Sequence, residues 1–295
     1  MKILVFDIGG TSIKHGYCID NELKECLETP TDAKKGGRHV IDTIISLIKK
    51  EEGYDAIGIS TAGQVNSEKG SIIYANSNIP GYTGMQIQEE LESLFHVPVA
   101  VENDVNSAAL GEAICGAGRT FENFLCLTYG TGVGGAIIQD KTVYHGSSFS
   151  AAEFGAIVTH SDVRKGKEDF YDGCYERYAS TTALVKSAME YDPTLDNGKK
   201  IFAQIEDPQV MNILDAWVDE IMMGLATLTH IFNPACIIVG GGIMVQPLII
   251  EKIHQKMNQY IMPSFAHVKI LPAQLGNRAG LLGANHLALK LLNDK

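Results

Sequence analysis

Basic residues never gather in this chain. No run of lysine and arginine is longer than two, and 24 of them stand against 35 aspartates and glutamates, for a formal net charge of -11. A protein of that sign repels phosphate backbones and anionic headgroups, so no nucleic-acid and no membrane partner is expected, and a small polar molecule fits better. Long apolar runs are missing too. No stretch approaches the roughly 20 residues that a bilayer span needs, and strand-like residues begin at Lys2 without a charged-then-apolar leader, so the expected location is cytoplasmic. Cysteine is sparse: Cys18, Cys26, Cys115, Cys126, Cys174 and Cys236 contain no Cys-x-x-Cys pair and mostly sit in apolar or small-residue runs. They read as reduced, buried thiols rather than as disulfides or metal ligands. The histidines lack metal-ligand spacing, and His39, His96, His145, His160 and His267 read as surface or packing residues.

Glycine, by contrast, is plentiful and concentrated. Two turns about 120 residues apart carry the pattern: ILVFDIGGTSIKHG at 3–16 and FLCLTYGTGVGGAI at 124–137. In each, a β-rich run meets glycines (Gly9 and Gly10; Gly130, Gly132, Gly134 and Gly135) whose bare backbone lets N–H groups approach an anion, and a second strand leads away. The copies continue alike, through Asp20-Asn21 and through Gln139-Asp140-Lys141. A duplicated glycine-tipped hairpin is the sequence form of a clamp in which two related domains grip one polyphosphate. With 295 residues and 45% apolar content the chain can bury two cores. The expected division is an N-terminal α/β domain at 1–120 and a C-terminal α/β domain at 121–295.

Several residues between these turns carry chemistry. Asp7 stands where a carboxylate can hold a metal-bound water, and Thr11 and Lys14 can meet phosphate oxygens; a plain surface hairpin closed by Gly-Gly is the competing reading. The run GTGVGG, including Thr131, offers too many glycines for a stable strand and no side chains for packing, which favours close approach to a ligand. The strand AIGIS ends in Thr61-Ala62-Gly63, a turn placed to deliver backbone to a cleft. Gly240, Gly241 and Gly242 follow the apolar strand CIIV, either as a helix entry or as a surface for a flat purine and its ribose. Asp104 closes the alternating strand VPVAVEND after Asn103, at a strand end where ligand groups gather in open α/β sheets. It can take a hydroxyl proton during phosphoryl transfer, or cap the helix that follows, or do both. Glu153 and Glu176 lie among apolar or small residues, a costly setting for a carboxylate without donors, which sugar hydroxyls or local capping and ion pairs would relieve.

Taken in order, DIGGTSIK, VENDVNSAALGE, LTYGTGVGGAI, AAEFGA and IIVGGGI make the chain strongly resemble the ROK family of bacterial sugar kinases and repressors over essentially its full length. The resemblance implies a two-domain, actin-like (ribonuclease H-like) α/β ATPase fold, ATP and Mg2+ as cofactors, and transfer of the γ-phosphoryl group to a sugar hydroxyl. It matches Asp7, Gly9, Gly10, Thr11 and Lys14 to the first phosphate motif and Gly130 to Gly135 to the second. Asp104 matches the catalytic base, and Gly63, Asn78, Asn103, Glu153 and Glu176 match sugar-binding positions. The oligomeric state stays open, with a homodimer among the options.

Two departures from the family pattern bear on the substrate. The usual Glu-x-Gly-His becomes Glu153-Phe154-Gly155-Ala156, and the cysteines of the family's structural zinc site are reduced to Cys174, so no zinc is expected. Phe170, Tyr171, Tyr175 and Tyr178 are the candidates to order the sugar loop instead. This combination is similar to the β-glucoside kinase branch, which phosphorylates the 6-hydroxyl of the non-reducing glucose in cellobiose or gentiobiose. Glucokinase, N-acetylmannosamine kinase and fructokinase are the competing enzymes, and a sugar-sensing ROK regulator is the non-enzymatic alternative.

Overall fold

The computed structural model describes residues 1–164 and 169–294. They group into two compact units. The first comprises Met1–Thr120, Asp140–Ala151 and the C-terminal segment from Leu275; the second comprises Phe121–Gln139 and Ala152–Gln274. The division thus falls near residue 120, but the C-terminal segment assigned with 121–295 belongs to the first unit, for a packing reason given below.

In the first unit, β1 (Lys2–Ile8), β2 (Ser12–Ile19) and β3 (Glu22–Pro30) precede α1 (Gly37–Ile48), β4 (Ala56–Thr61), a hairpin of β5 (Gln64–Asn66) and β6 (Ser71–Tyr74), α2 (Ile87–Phe95), β7 (Val99–Asn103) and α3 (Asp104–Cys115). The main sheet runs β3-β2-β1-β4-β7, antiparallel through the first hairpins and parallel from β1 through β4 to β7. Strand β4 is buried along its whole length. Such two-sided burial is what a central parallel strand experiences, and it explains the unbroken apolar run there. Strand β1 divides its side chains between two cores: Leu4, Phe6 and Ile8 pack with Val40, Ile41, Ile44 and Ile48 of α1, while Ile3 and Val5 pack with Leu281 and Leu282 of the last helix.

The second unit repeats the opening. Strands β8 (Phe124–Tyr129) and β9 (Val133–Gln139) form its glycine-tipped antiparallel hairpin; β10 (Thr142–Val143) lies in the stretch that groups with the first unit. After the short α4 (Glu176–Ala179) come α5 (Thr181–Tyr191), α6 (Gly198–Phe202), the long α7 (Pro208–Phe232), β11 (Cys236–Gly240), α8 (Pro247–Tyr260) and β12 (Lys269–Pro272). Strand β11 lies parallel to β8 on one side and to β12 on the other. Helix α7 starts at the Asp207 cap with Pro208 in its first turn and stops at Asn233, which takes a left-handed conformation. Between those signals Leu214, Val218, Ile221, Leu225 and Leu228 recur at helical spacing and bury against Leu125, Leu127, Ile237 and Val239.

The last helix, α9 (Ala279–Asn293), explains the shifted boundary. It lies so close to α3 and β4 that only glycine fits at the contacts. A Cβ on Gly283 would overlap the Ser107 carbonyl, one on Gly58 the Ala284 carbonyl, and one on Gly111 the Ala279 carbonyl. Backbones at that separation exclude solvent without large side chains, which is why the small-residue helix NSAALGEAIC can be buried on several sides.

Gly283→Ala forces this contact apart and is expected to destabilise the fold by about 1–3 kcal/mol, a drop of several degrees in the thermal midpoint. Gly242→Ala places its methyl in open space and serves as the control. Equal midpoints for the two variants in a thermal melt would contradict the packing argument.

Candidate active site

Within the first unit, the hairpin turn between β1 and β2 is closed by Gly9 N–H donating to the Ser12 carbonyl at 3.0 Å. Gly10 and Thr11 are exposed at its tip, and nothing would meet a Cβ on Gly10. Asp7 sits near the end of β1, in register with Ser60 of β4 and Lys14 of β2. The Ser60 hydroxyl donates to Asp7 Oδ1 at 2.6 Å, and Lys14 Nζ lies 3.7 Å from Oδ2. Gly280, in the first turn of α9, closes this side: a Cβ there would stand 2.8 Å from Asp7 Oδ1 and 3.0 Å from Ser60 Oγ. Burial pushes the Asp7 carboxyl above the usual range, although Ser60 and Lys14 both pull it down.

Asp104 begins α3, and the structure decides what it does there. The capping residue is Asn103, whose Oδ1 accepts from Val105 N–H at 2.9 Å and Asn106 N–H at 3.1 Å. Asp104 is therefore not the helix cap. Its Oδ1 accepts from Asn103 Nδ2 at 2.9 Å and from Val105 N–H at 3.0 Å. Burial, then the negative charge of Asp7, push its carboxyl up to about 6 against these hydrogen bonds. Asn103 Nδ2 also donates to the Gly63 carbonyl at 2.9 Å, and Gly63 holds the turn after β4 with φ of 99°, a left-handed value that glycine adopts freely. Gly63, Asn103 and Asp104 thus share one network. Asn78 is exposed in the turn after β6, and its own N–H donates to Asn76 Oδ1 at 3.0 Å.

In the second unit, Gly130 N–H donates to the Gly132 carbonyl at 2.9 Å, closing the second turn. Thr181 binds the turn from below, its N–H donating to the Gly130 carbonyl at 3.0 Å and its hydroxyl to the Tyr129 carbonyl at 2.9 Å. Gly134 and Gly135 lie within β9, paired with Thr128 and Leu127. A Cβ on Gly135 would overlap the Phe154 ring and the Ala152 carbonyl. Packing accounts for that glycine, where the sequence pattern suggested a strand with nothing to pack. Gly241, at φ 111°, has its Cα against the Tyr129 backbone, whereas Gly242 faces open space. A cavity of about 750 Å³ opens between these turns, lined by Gly130, Thr131, Thr181, Asn197, Lys199 and Gly242 among others. Its size and its glycine walls suit a nucleotide. Gly240 itself is buried at the end of β11.

Glu176 opens α4 and its Oε2 accepts from Val133 N–H at 3.1 Å, against the face that Gly132 leaves bare. Glu153 is exposed. Its setting carries none of the desolvation cost that its apolar neighbours suggest, because those neighbours turn inward while it turns out. Ala156 and Cys174 do adjoin, with the Cys174 thiol donating to the Ala156 carbonyl at 3.4 Å. No group of three or more His, Cys, Asp or Glu able to hold a metal ion occurs among the described residues. Of the four aromatics, Tyr175 is fully buried, its hydroxyl donating to the Ile221 carbonyl at 2.8 Å and contacting Tyr129 Oη at 2.8 Å. It is a core residue and offers no face to a ligand. Tyr178 stacks on His160 at 3.8 Å between ring centroids. Phe170 and Tyr171 remain exposed, with the Arg177 guanidinium 5.9 Å from the Tyr171 ring centre.

Ser60, Gly280 and Thr181 support these turns without a motif of their own in the sequence. Ser60 was recoverable from the register of two apolar strands, and Gly280 from the Gly-x-x-Gly spacing of the last helix. His145, expected as a surface or packing residue, places its Nε2 2.7 Å from Glu102 Oε2.

A family model described as ROK family matches residues 3–291. The chain belongs to the ROK family. A β-glucoside kinase of Listeria innocua is 31% identical over 291 residues, covering 96% of each chain. Among solved structures, a Listeria monocytogenes protein proposed to be an N-acetylmannosamine kinase aligns with TM-score 0.90 at 29% identity, covering 99% of this chain and 100% of the other. A ROK glucokinase of Streptomyces griseus, in complex with glucose and AMPPNP, aligns with TM-score 0.83 at 29% identity, covering 98% and 100%. Similarity to these kinases over nearly the whole chain carries with it the actin-like ATPase fold and ATP-dependent phosphorylation of a sugar. No described helix is long and apolar enough to cross a membrane.

Because the fold raises the Asp104 pKa from 3.8 to about 6, it favours the protonated carboxyl, and the cost to stability builds as pH rises through that interval and is full above about 6. Asp104→Asn removes that cost. The variant is expected to be more stable than the parent by on the order of 1–2 kcal/mol at pH 7.5, with the gain vanishing near pH 4. Thermal melts at the two pH values check this, and an Asn variant less stable at pH 7.5 would contradict it.

Proposed function

We propose that this ROK sugar kinase transfers the γ-phosphoryl group of ATP to the 6-hydroxyl of the non-reducing glucose of a β-glucoside such as cellobiose or gentiobiose. The observation that carries the phosphotransfer chemistry is Asp104: a carboxylate with raised pKa, held by Asn103 through one oxygen and leaving the other without a described partner. A base of that strength is ionised at neutral pH yet basic enough to take a proton from a hydroxyl as its oxygen attacks phosphorus. Asn103 and the Gly63 turn orient it, and Asn78, Glu153 and Glu176 are assigned to sugar hydroxyls. Gly9, Gly10, Thr11 and Lys14 are assigned to phosphate together with Gly130 to Gly135, and the cavity beside Gly240 to Gly242 to adenosine.

The residues also fit a divalent cation. Asp7 is a partly dehydrated carboxylate whose charge already disfavours ionisation of Asp104, so a cation at that place relieves both acids. Asp7 would hold Mg2+ through water, and the ion would supply neutralising charge to the phosphates.

Substrate choice rests on the segment after Glu153. Ala156 replaces the family's usual histidine and leaves a small side chain where a ligand to zinc would stand, and Tyr171 offers an exposed aromatic face for a second sugar. Similarity to a β-glucoside kinase supports this reading, while the glucokinase likeness favours free glucose as the second one.

Two experiments test these assignments. Asp104→Asn should bind nucleotide normally and lose about 10²–10⁴-fold in turnover, and kcat/KM of the parent should fall tenfold per pH unit below about 6 as the base is protonated. A flat profile down to pH 5, or near-normal turnover of the variant, removes Asp104 from the mechanism.

For the substrate, ADP release is compared over glucose, N-acetylmannosamine, fructose, cellobiose and gentiobiose. A severalfold higher kcat/KM for the β-linked disaccharides is expected, from stacking on the order of 1 kcal/mol. Tyr171→Ala should remove that advantage and leave glucose within about twofold. Inert disaccharides would refute the β-glucoside assignment alone.

A further inference from the structure

The residue before the Asn103-Asp104 pair is itself a buried acid. Glu102 ends the buried stretch of β7 with its side chain only 1% exposed. A carboxylate there is costly unless every oxygen is occupied. Both are. Oε1 accepts from Asn103 N–H at 2.8 Å and from Asn106 Nδ2 at 3.0 Å, and Oε2 accepts from His145 Nε2 at 2.7 Å. Donation to this oxygen places the imidazole proton on Nε2, and Ser67 Oγ stands 3.2 Å from the same nitrogen.

The partners come from separate parts of the first unit. Asn103 and Asn106 belong to the β7–α3 junction, Ser67 to the turn between β5 and β6, and His145 to the stretch after β10. That stretch is tied down further, by Ala151 N–H donating to the His145 carbonyl at 3.2 Å and by Ser150 Oγ donating to Gln64 Oε1 at 3.0 Å. Two residues beyond Ala151 the chain reaches Glu153.

We infer that His145 is a positioning residue for sugar phosphorylation, acting through Glu102: the pair locks the peptide and cap of Asn103, and with them Asp104, while fastening the segment that leads into Glu153. Glu102 is too deeply buried to reach substrate, so its influence passes through the N–H of Asn103 and the amide of Asn106. Losing the imidazole leaves a buried carboxylate oxygen unpaired beside the catalytic turn. The turn then relaxes, and a displacement of about 1 Å at a base is enough to slow transfer. The nucleotide cavity lies in the second unit and contains none of these residues.

This inference rests on the assignment of Asp104 as base, and the experiment separates the two. Steady-state kinetics are run with the acceptor that the parent enzyme turns over fastest. His145→Ala is expected to lower kcat/KM for the sugar about 10- to 100-fold, to leave KM for ATP within twofold, and to shift the thermal midpoint by only a few degrees. His145→Gln, which can still donate to Glu102, should recover most of the loss, a rescue that a purely structural role would not show in the kinetic constant alone. Glu102→Gln should be impaired as well, and the double variant Glu102→Gln/His145→Ala should be no worse than His145→Ala, because the two act as a unit. Unchanged sugar kinetics in His145→Ala, an equal rise in KM for ATP, no rescue by Gln, or additive losses would each overturn the inference. An active Asp104→Asn, by contrast, would refute the base assignment on which it rests.

Discussion

The first unit is organised around the cost of keeping carboxylates out of water. Asp7 and Glu102 lie near the carboxyl ends of β1 and β7, and Asp104 opens the helix that follows β7. Each is held differently. Asp7 receives one hydroxyl and a distant ammonium. Glu102 is fully satisfied by three donors. Asp104 is served through a single oxygen by two. Asp104 combines a raised pKa with hydrogen bonds from Asn103 and Val105, while the buried Glu102 beside it takes the Asn103 N–H and the Asn106 side chain. A site of this kind trades stability for reactivity: the ionised base sits in surroundings that would prefer it neutral.

That arrangement requires close backbone packing behind it. Helix α9 approaches β4 and α3 through glycines, and Gly280 completes the wall around Asp7 and Ser60 with no side chain of its own. Dehydration of Asp7 therefore comes from the chain's C-terminal segment, far in sequence from the motif it serves. A larger residue at Gly280 would meet the carboxylate directly, so the same feature that stabilises the unit also sets the electrostatics of the site.

Much of this was legible in the sequence. The duplicated hairpins, the helix spanning Pro208–Phe232 and the placement of Asn103 and Asp104 at a strand end all follow from periodicity and turn chemistry, which are local signals. What eluded the sequence were relations between distant segments. The return of α9 to the first unit depends on glycine contacts that look, in one dimension, like ordinary helix-weakening residues. Gly135 reads as a ligand approach, and the structure adds a packing reason for it, the seat of Phe154. Tyr175, a candidate from the sequence to order the sugar loop, is a core residue, its hydroxyl satisfied by the Ile221 carbonyl. Polar aromatics bury readily when a carbonyl is at hand, and no sequence spacing announces the carbonyl.

The same logic explains why the reaction reads more clearly than the substrate. Phosphoryl transfer needs a base, anion-binding turns and a nucleotide cavity, and each leaves a motif because backbone geometry must be special there. Discriminating one sugar from another needs only a few side chains on a loop, and differences of about 1–3 kcal/mol between acceptors suffice. On the proposed reading those side chains are an alanine at 156, a buried thiol at Cys174 and an exposed ring at Tyr171. A thiol that is occupied by the Ala156 and Phe170 carbonyls draws the two ends of the loop together by weak hydrogen bonds, where the family's usual pattern uses a metal. On the proposed reading, a loop held by those contacts keeps only a methyl at position 156, and a second sugar ring can approach there on apolar terms.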